Sequence, residues 1–174
     1  MFGVAIIRSV QTTFRTLSLM DVRYLIMCRY AELQSDGTMN LVGGDILSLT
    51  VEAFPGTYPA IVACSRVEFE ESDFDVEHTF RIFIADDSGE TINVGVEGTI
   101  SPNDATEPSF LYAGAGIIAN FGTTIFPKKN YYFITLEMDG IVLKKTRFQV
   151  VAKPSPASKN PAETPDLLSS RGAP

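Results

Sequence analysis

Along most of this chain apolar and polar residues alternate with a period of two. Tyr132, Ile134, Leu136 and Met138 fall on every second position, and Thr146, Phe148 and Val150 do the same further on. Phe80, Ile82 and Ile84 alternate likewise. Ile61, Ala63, Val67 and Phe69 share one parity, while Arg66, Glu68 and Glu70 share the other. This period puts successive side chains on opposite faces of a strand, one face buried and one wet. Three Asp/Gly turns, Asp36-Gly37, Asp87-Ser88-Gly89 and Asp139-Gly140, separate such runs. Their central residues tolerate positive φ, as antiparallel hairpins require.

The pattern predicts strands over 22–33, 39–42, 46–51, 60–69, 80–84 and 91–99, and a closing hairpin over 131–151. Gly43-Gly44 marks a bend and Phe54-Pro55-Gly56 a break. Residues 101–109 read as loop. The stretch 110–126 is apolar but carries Gly114, Gly116 and Gly122. Each glycine costs a helix about 1 kcal/mol relative to alanine, so a strand pair or an irregular crossover is expected there. No long helical period occurs anywhere. The expected fold is all-β, with seven to nine strands in a two-layer antiparallel β-sandwich, immunoglobulin-like or a related Greek key, ahead of a barrel.

The two ends break the pattern. Residues 1–19 hold Arg8 and Arg15, several hydroxyls and no acid. That composition weakly resembles an organelle transit peptide, but the simpler and preferred reading is a translation start placed too early, with Met20 as the natural start. Residues 153–174 carry five of the ten prolines and little that can pack, which predicts a disordered, partly polyproline-like tail. The folded domain is therefore expected at 20–152. Apolar runs are too short to span a bilayer as helices, so no membrane association is expected.

Charge narrows the partners. Residues 20–152 contain 19 acidic and 9 basic residues. Such a domain repels phosphate backbones, so nucleic acid is not an expected partner. Lys128-Lys129 and Lys144-Lys145 are short pairs, read as solvated strand ends. Cys28 and Cys64 both lie in apolar strand-like runs. Two buried free thiols are the simpler reading, with a disulfide between facing sheets as the alternative.

Candidate chemistry is sparse. His78, the single histidine, shares parity with Phe80 and Ile82 and is expected to point inward at a strand end. No Ser or Cys near it carries a nucleophile motif, so a structural histidine is expected. Glu71, Asp73, Asp75 and Glu77 occupy alternate positions. In extended chain they would point one way and offer carboxylates to calcium. The preferred reading is that they are solvated charges that keep a sheet edge from pairing. Tyr112, Tyr131 and Phe133 are candidate stacking residues for a saccharide, because tryptophan is absent. Gly114-Ala115-Gly116-Ile117-Ile118-Ala119 fits a dinucleotide fingerprint by letter, but no helix or parallel sheet surrounds it. No catalytic residue and no required cofactor is assigned.

From Asp21 to Val150 the chain resembles a small bacterial domain family of unknown function. The resemblance rests on Tyr30-Ala31-Glu32, the run from Asp36 to Gly44, Phe54-Pro55, the run from Glu77 to Ile82, Asp86 to Gly89, Ile125-Phe126-Pro127, Tyr132-Phe133-Ile134, Asp139-Gly140 and Phe148-Gln149-Val150. Asn130 stands where that pattern has Gly, and 114–122 is richer in Gly. The resemblance implies a cytoplasmic β-sandwich with no transferable activity. The expected function is a non-enzymatic module that binds a protein partner, with a calcium- or saccharide-binding sandwich as the alternative.

Overall fold

The computed structural model describes residues 20–102 and 112–154. The expectations for 1–19, for 103–109 of the loop and for 155–174 of the tail lie outside the described residues. Twelve strands follow in order: β1 (Asp21–Cys28), β2 (Tyr30–Leu33), β3 (Met39–Val42), β4 (Ser48–Val51), β5 (Gly56–Tyr58), β6 (Val62–Glu70), β7 (His78–Asp86), β8 (Thr91–Ile100), β9 (Tyr112–Asn120), β10 (Thr124–Phe126), β11 (Asn130–Met138) and β12 (Ile141–Ala152). The only helical turn among the described residues is 3-10, Glu71–Asp73.

The strand count exceeds the seven to nine expected, for local reasons. The run 22–33 is one strand by pattern, yet the chain bends at Arg29, whose amide turns away to donate to the Val42 carbonyl at 3.0 Å. Beyond that bend β2 pairs with β3 alone. The break at Pro55 is followed at once by the three-residue β5, which pairs with β10. The glycine-rich stretch supplies both β9 and β10.

A three-stranded sheet runs β1-β6-β9 and a five-stranded sheet runs β4-β12-β11-β7-β8, the latter curled into a half-barrel. Pairing is antiparallel except for β4 beside β12, which is parallel, Ser48 facing Gln149. The alternation seen in sequence now has a destination. Leu25, Val67, Phe69 and Ala119 from the smaller sheet meet Ile82, Ile84, Ile134, Leu136 and Phe148 from the larger in one core. Phe126, Tyr132 and Phe148 meet there as rings with centroids 4.8–6.0 Å apart. The Tyr132 hydroxyl donates to the Lys128 carbonyl at 2.8 Å, so the buried phenol has its partner.

The edges of the smaller sheet are closed by the larger one. Lys144 Nζ and Thr146 Oγ1, on the inner face of β12, donate to the Val22 and Leu25 carbonyls of β1 at 2.9 and 2.5 Å. At the other edge Gly95 of β8 lies against Phe121 and Ala119; a Cβ there would stand 2.8 Å from the Phe121 ring. Carbonyls and edges that would otherwise recruit foreign strands are thus covered.

Gly114 and Gly116 have a packing purpose. They project from the outer face of β9, where a Cβ at Gly116 would stand 2.9 Å from both Leu33 and Met39, and one at Gly114 would stand 2.8 Å from Arg66. The β2–β3 arm lies over this face. Arg66 pins its tip by donating to the Gly37 carbonyl at 3.1 Å. Cys28, Val62 and Cys64 form a small second core, with Ala31 and Met39 of the arm packed against it.

Candidate functional site

His78 opens β7 with its side chain buried against Phe69, ring centroids 5.7 Å apart. Its Nδ1 meets Asp139 Oδ2 at 2.8 Å, and the other Asp139 oxygen accepts from the Thr79 amide at 2.9 Å. Asp139 sits at φ +50 in the β11–β12 turn, so the turn's geometry aims its carboxylate back at β7. Burial alone would raise the Asp139 carboxyl. Hydrogen bonds from His78 and Thr79 outweigh it and hold the group below its usual range. His78 Nε2 is buried without a partner among the described residues. The pair joins the β11–β12 turn to the start of β7.

Beside this pair a groove of about 580 Å³ opens on the outer face of the five-stranded sheet. Glu97, Arg81 and Glu137 stand in one cross-strand row on β8, β7 and β11. Arg81 Nη2 approaches Glu137 Oε2 at 3.8 Å, and its guanidinium lies 4.2 Å over the Phe83 ring. Sequence reasoning did not single out this row. The signal was present in the parity of Phe80, Ile82 and Ile84, which assigns Thr79 and Arg81 to the opposite face.

Further along the same outer face, β11 places Tyr131 and Phe133 beside Gln149 and Arg147 of β12. The Arg147 guanidinium lies 4.8 Å over the Tyr131 ring. Tyr112 is not on this face: it starts β9 in the other sheet, paired with Glu70. Tyr132, next to Tyr131, pairs with Asp86 at the opposite end of β7 from His78. The three aromatic candidates therefore do not form one shelf, and Tyr131 and Phe133 lie away from the acidic segment.

The acidic segment is not extended. Glu71–Asp73 forms a 3-10 turn with Glu70 as its N-cap, and Asp73 is buried, its carboxylate accepting from the Glu70 amide at 3.0 Å. Asp75 takes φ +58 and its amide donates to the Pro102 carbonyl at 2.9 Å. Alternate spacing consequently does not align Glu71, Asp73, Asp75 and Glu77 on one side. Among the described residues no group of three or more His, Cys, Asp and Glu side chains converges to hold a metal ion. Asp73 caps the turn, so the alternate spacing of the four acids in sequence does not become one line of carboxylates.

Cys28 and Cys64 are free thiols, both buried. In the β1–β6 ladder Cys28 faces Val62 and Cys64 faces Ile26, so the two are diagonal neighbours. Burial pushes the Cys64 thiol up to about 12, with the neighbouring Cys28 adding to it, and burial raises Cys28 as well.

The β2–β3 arm exposes apolar side chains. Tyr30 and Val42 face each other across it and are 51% and 58% exposed, and Leu33, Leu41 and nearby Leu47 are also exposed. The strand pattern of 22–33 concealed this, because it read Tyr30 and Leu33 as the continuation of one strand with β1.

The sequence model of a family of unknown function, DUF6941, matches residues 23–151, which agrees with the resemblance drawn from the turns and strands between Asp21 and Val150. A search of curated proteins finds no match. Among solved structures the chain is similar to Pseudomonas fluorescens alkylpurine DNA glycosylase AlkC bound to DNA containing an abasic site analog. The TM-score is 0.36 at 7% identity, over 76% of this chain and 30% of that one. The chain thus spans less than a third of that protein's length. No helix among the described residues is long and apolar enough to cross a membrane.

Proposed function

The chain belongs to the family of unknown function DUF6941, and we propose that it is a non-enzymatic module that binds a protein partner. We take its fold as a two-layer sandwich of the immunoglobulin-like or a related Greek-key kind, in a cytoplasmic protein, with 20–152 as the folded unit. The observation that carries the functional reading is the β2–β3 arm. Its two outward apolar residues, Tyr30 and Val42, contribute nothing to either core, while its inner residues hold it against the sheet. An arm fixed underneath, with the apolar Tyr30–Val42 pair on top beside Glu32 and Asn40, presents a rigid surface, which lowers the entropy lost on binding. Exposed apolar residues that cluster, rather than scatter, point to association.

The test is affinity capture with the full chain and with a Tyr30→Ser/Val42→Asp variant. Both changes are solvent-facing, so the variant is expected to melt like the parent and to lose a specific, stoichiometric partner. Equal recovery of that partner by the variant, or turnover of a substrate by a folded monomer that recovers none, overturns the proposal. A second reading has one observation in its favour. Tyr131 is 45% exposed beside Phe133 on the outer face of the five-stranded sheet, an arrangement suited to stacking against a sugar ring. Nothing comparable favours calcium at Glu71, Asp73, Asp75 and Glu77.

A further inference from the structure

Rings and cations stand together on the outer face of the five-stranded sheet, and this is unusual in a chain of net charge −7. Phe133 faces Arg147 and Thr135 faces Lys145 across β11 and β12. Phe83, 6% exposed beneath the Arg81 guanidinium, continues the second row on β7 beside Thr135, itself 1% exposed, and the exposed Val94 lies beyond it on β8. No carboxylate occupies these two rows. Most other cations of the domain are engaged: Arg23 with Glu68, Arg81 with Glu137, Lys128 with Asp87, Lys153 with Glu52, and Lys144 with the Val22 carbonyl. Among the described residues Lys145 and Arg147 make no ion pair, although both are exposed. The strand alternation has split the Lys144-Lys145 pair, sending Lys144 inward to β1 and Lys145 outward.

We propose that this face binds an extended acidic segment of a protein partner. The inference rests on the interaction-module reading and names a second surface for it. Lys145 and Arg147 are same-side neighbours two residues apart on one strand, roughly 6.5 Å from each other along the strand. Alternate residues of an extended peptide repeat at the same spacing, so two carboxylates at i and i+2 reach the two cations together. Arg147 offers a planar fork for a carboxylate, and Tyr131 and Phe133 offer rings to the residues between. The occupant is short. The same face ends at Glu97, Glu137 and Asp139, which line the groove beside His78. A long polyanion such as a nucleic acid strand would run onto those carboxylates, whereas a segment with a few acids need not.

The experiment follows backbone amide shifts of the full chain during titration with three probes. They are a short peptide alternating glutamate and threonine, its lysine–threonine counterpart, and an oligouridylate of matching extended length. The expected result is saturable shifts confined to Tyr131–Thr135 and Lys145–Arg147 with the glutamate peptide alone. Arg147→Gln and Lys145→Gln should each weaken binding about tenfold, since each removes a charge-assisted contact. Arg23→Gln, which removes an exposed cation from β1 of the other sheet, should leave it unchanged. Absence of binding by the glutamate peptide, shifts located elsewhere, or tighter binding of the oligouridylate at this face overturns the proposal. If the glutamate peptide fails while the arm-dependent partner is still captured, the interaction-module reading stands and only this surface falls.

Discussion

Asp139 shows how one side chain can serve a turn, a strand end and a histidine at once. Its backbone takes the positive φ the hairpin needs, and its carboxylate accepts from Thr79 and meets His78. Asparagine tolerates the same φ, so Asp139→Asn keeps the turn and removes the charge. We expect it to cost about 1–2 kcal/mol at neutral pH, the scale of a charge-assisted hydrogen bond. The sign of its pH dependence follows from the lowered Asp139 carboxyl. A depressed carboxylate stabilises the fold fully above its unfolded value, near about 4, and that contribution is lost as pH falls through the folded value. The difference between parent and variant in urea unfolding should therefore shrink below about pH 4. A constant difference across that range would show that the carboxylate's charge is irrelevant. At the same scale, Cys64 pushed up to about 12 implies a thiol with almost no thiolate at pH 8. Thiol titration with a chromogenic disulfide should detect neither cysteine in the native chain and both in guanidinium. Rapid native reaction of both would contradict the burial of this small core.

Gly116 acts at the scale of the element, because its missing side chain is what lets the β2–β3 arm lie down. A β-branched residue there meets Leu33 and Met39 at 2.9 Å. Gly116→Val is expected to destabilise the domain by about 1–3 kcal/mol through overpacking. It should also expose the arm's tip near Asp36-Gly37 to limited proteolysis, while Gly140→Ala, in open space but at φ +77, should not change arm cleavage. Unchanged cleavage of Gly116→Val would mean that the arm is held from elsewhere. The arm also marks the limit of what was legible in the sequence. Alternation and the Asp139-Gly140 and Asp87-Ser88-Gly89 turns were enough to place β7, β8, β11 and β12, because Ile82 and Ile84, then Tyr132 to Met138, then Phe148 and Val150 put alternate residues into the core. Arg29 gave no warning of a bend, since apolar residues flank it on both sides, Met27-Cys28 before it and Tyr30-Ala31 after. The purpose of Gly114 and Gly116 was equally hidden, for it depends on Leu33 and Met39, which are remote in sequence. The row Glu97–Arg81–Glu137 and the stacking of Arg147 on Tyr131 arise from register between strands. A one-residue slip would have undone either, and composition does not fix register.

For the molecule as a whole, every residue of the main core lies between Val22 and Val150. Residues 20–154 alone should therefore melt within about 2 °C of the full chain at physiological salt, a shift equivalent to a few tenths of a kcal/mol. Electrostatics should separate the two at low salt. The full chain carries −7, and the extensions removed by the truncation contain more basic than acidic residues, so the truncated domain is more negative. Self-repulsion of net charge destabilises a compact state and is screened by salt. The opposing effect is small: exposed ion pairs such as Lys153 with Glu52 and Lys128 with Asp87 contribute about 0–1 kcal/mol each and weaken in salt. Repulsion spread over a whole surface outweighs a few exposed pairs, so added sodium chloride should raise the melting midpoint of both chains, and more steeply for the shorter one. Calcium at matched ionic strength should do no more than sodium, because the carboxylates of Glu71, Asp73, Asp75 and Glu77 are not gathered on one side. A calcium-specific rise, abolished by chelator and by Asp75→Asn, would show that the acidic segment rearranges around the ion. A midpoint that falls with sodium chloride would show instead that the ion pairs dominate the surface.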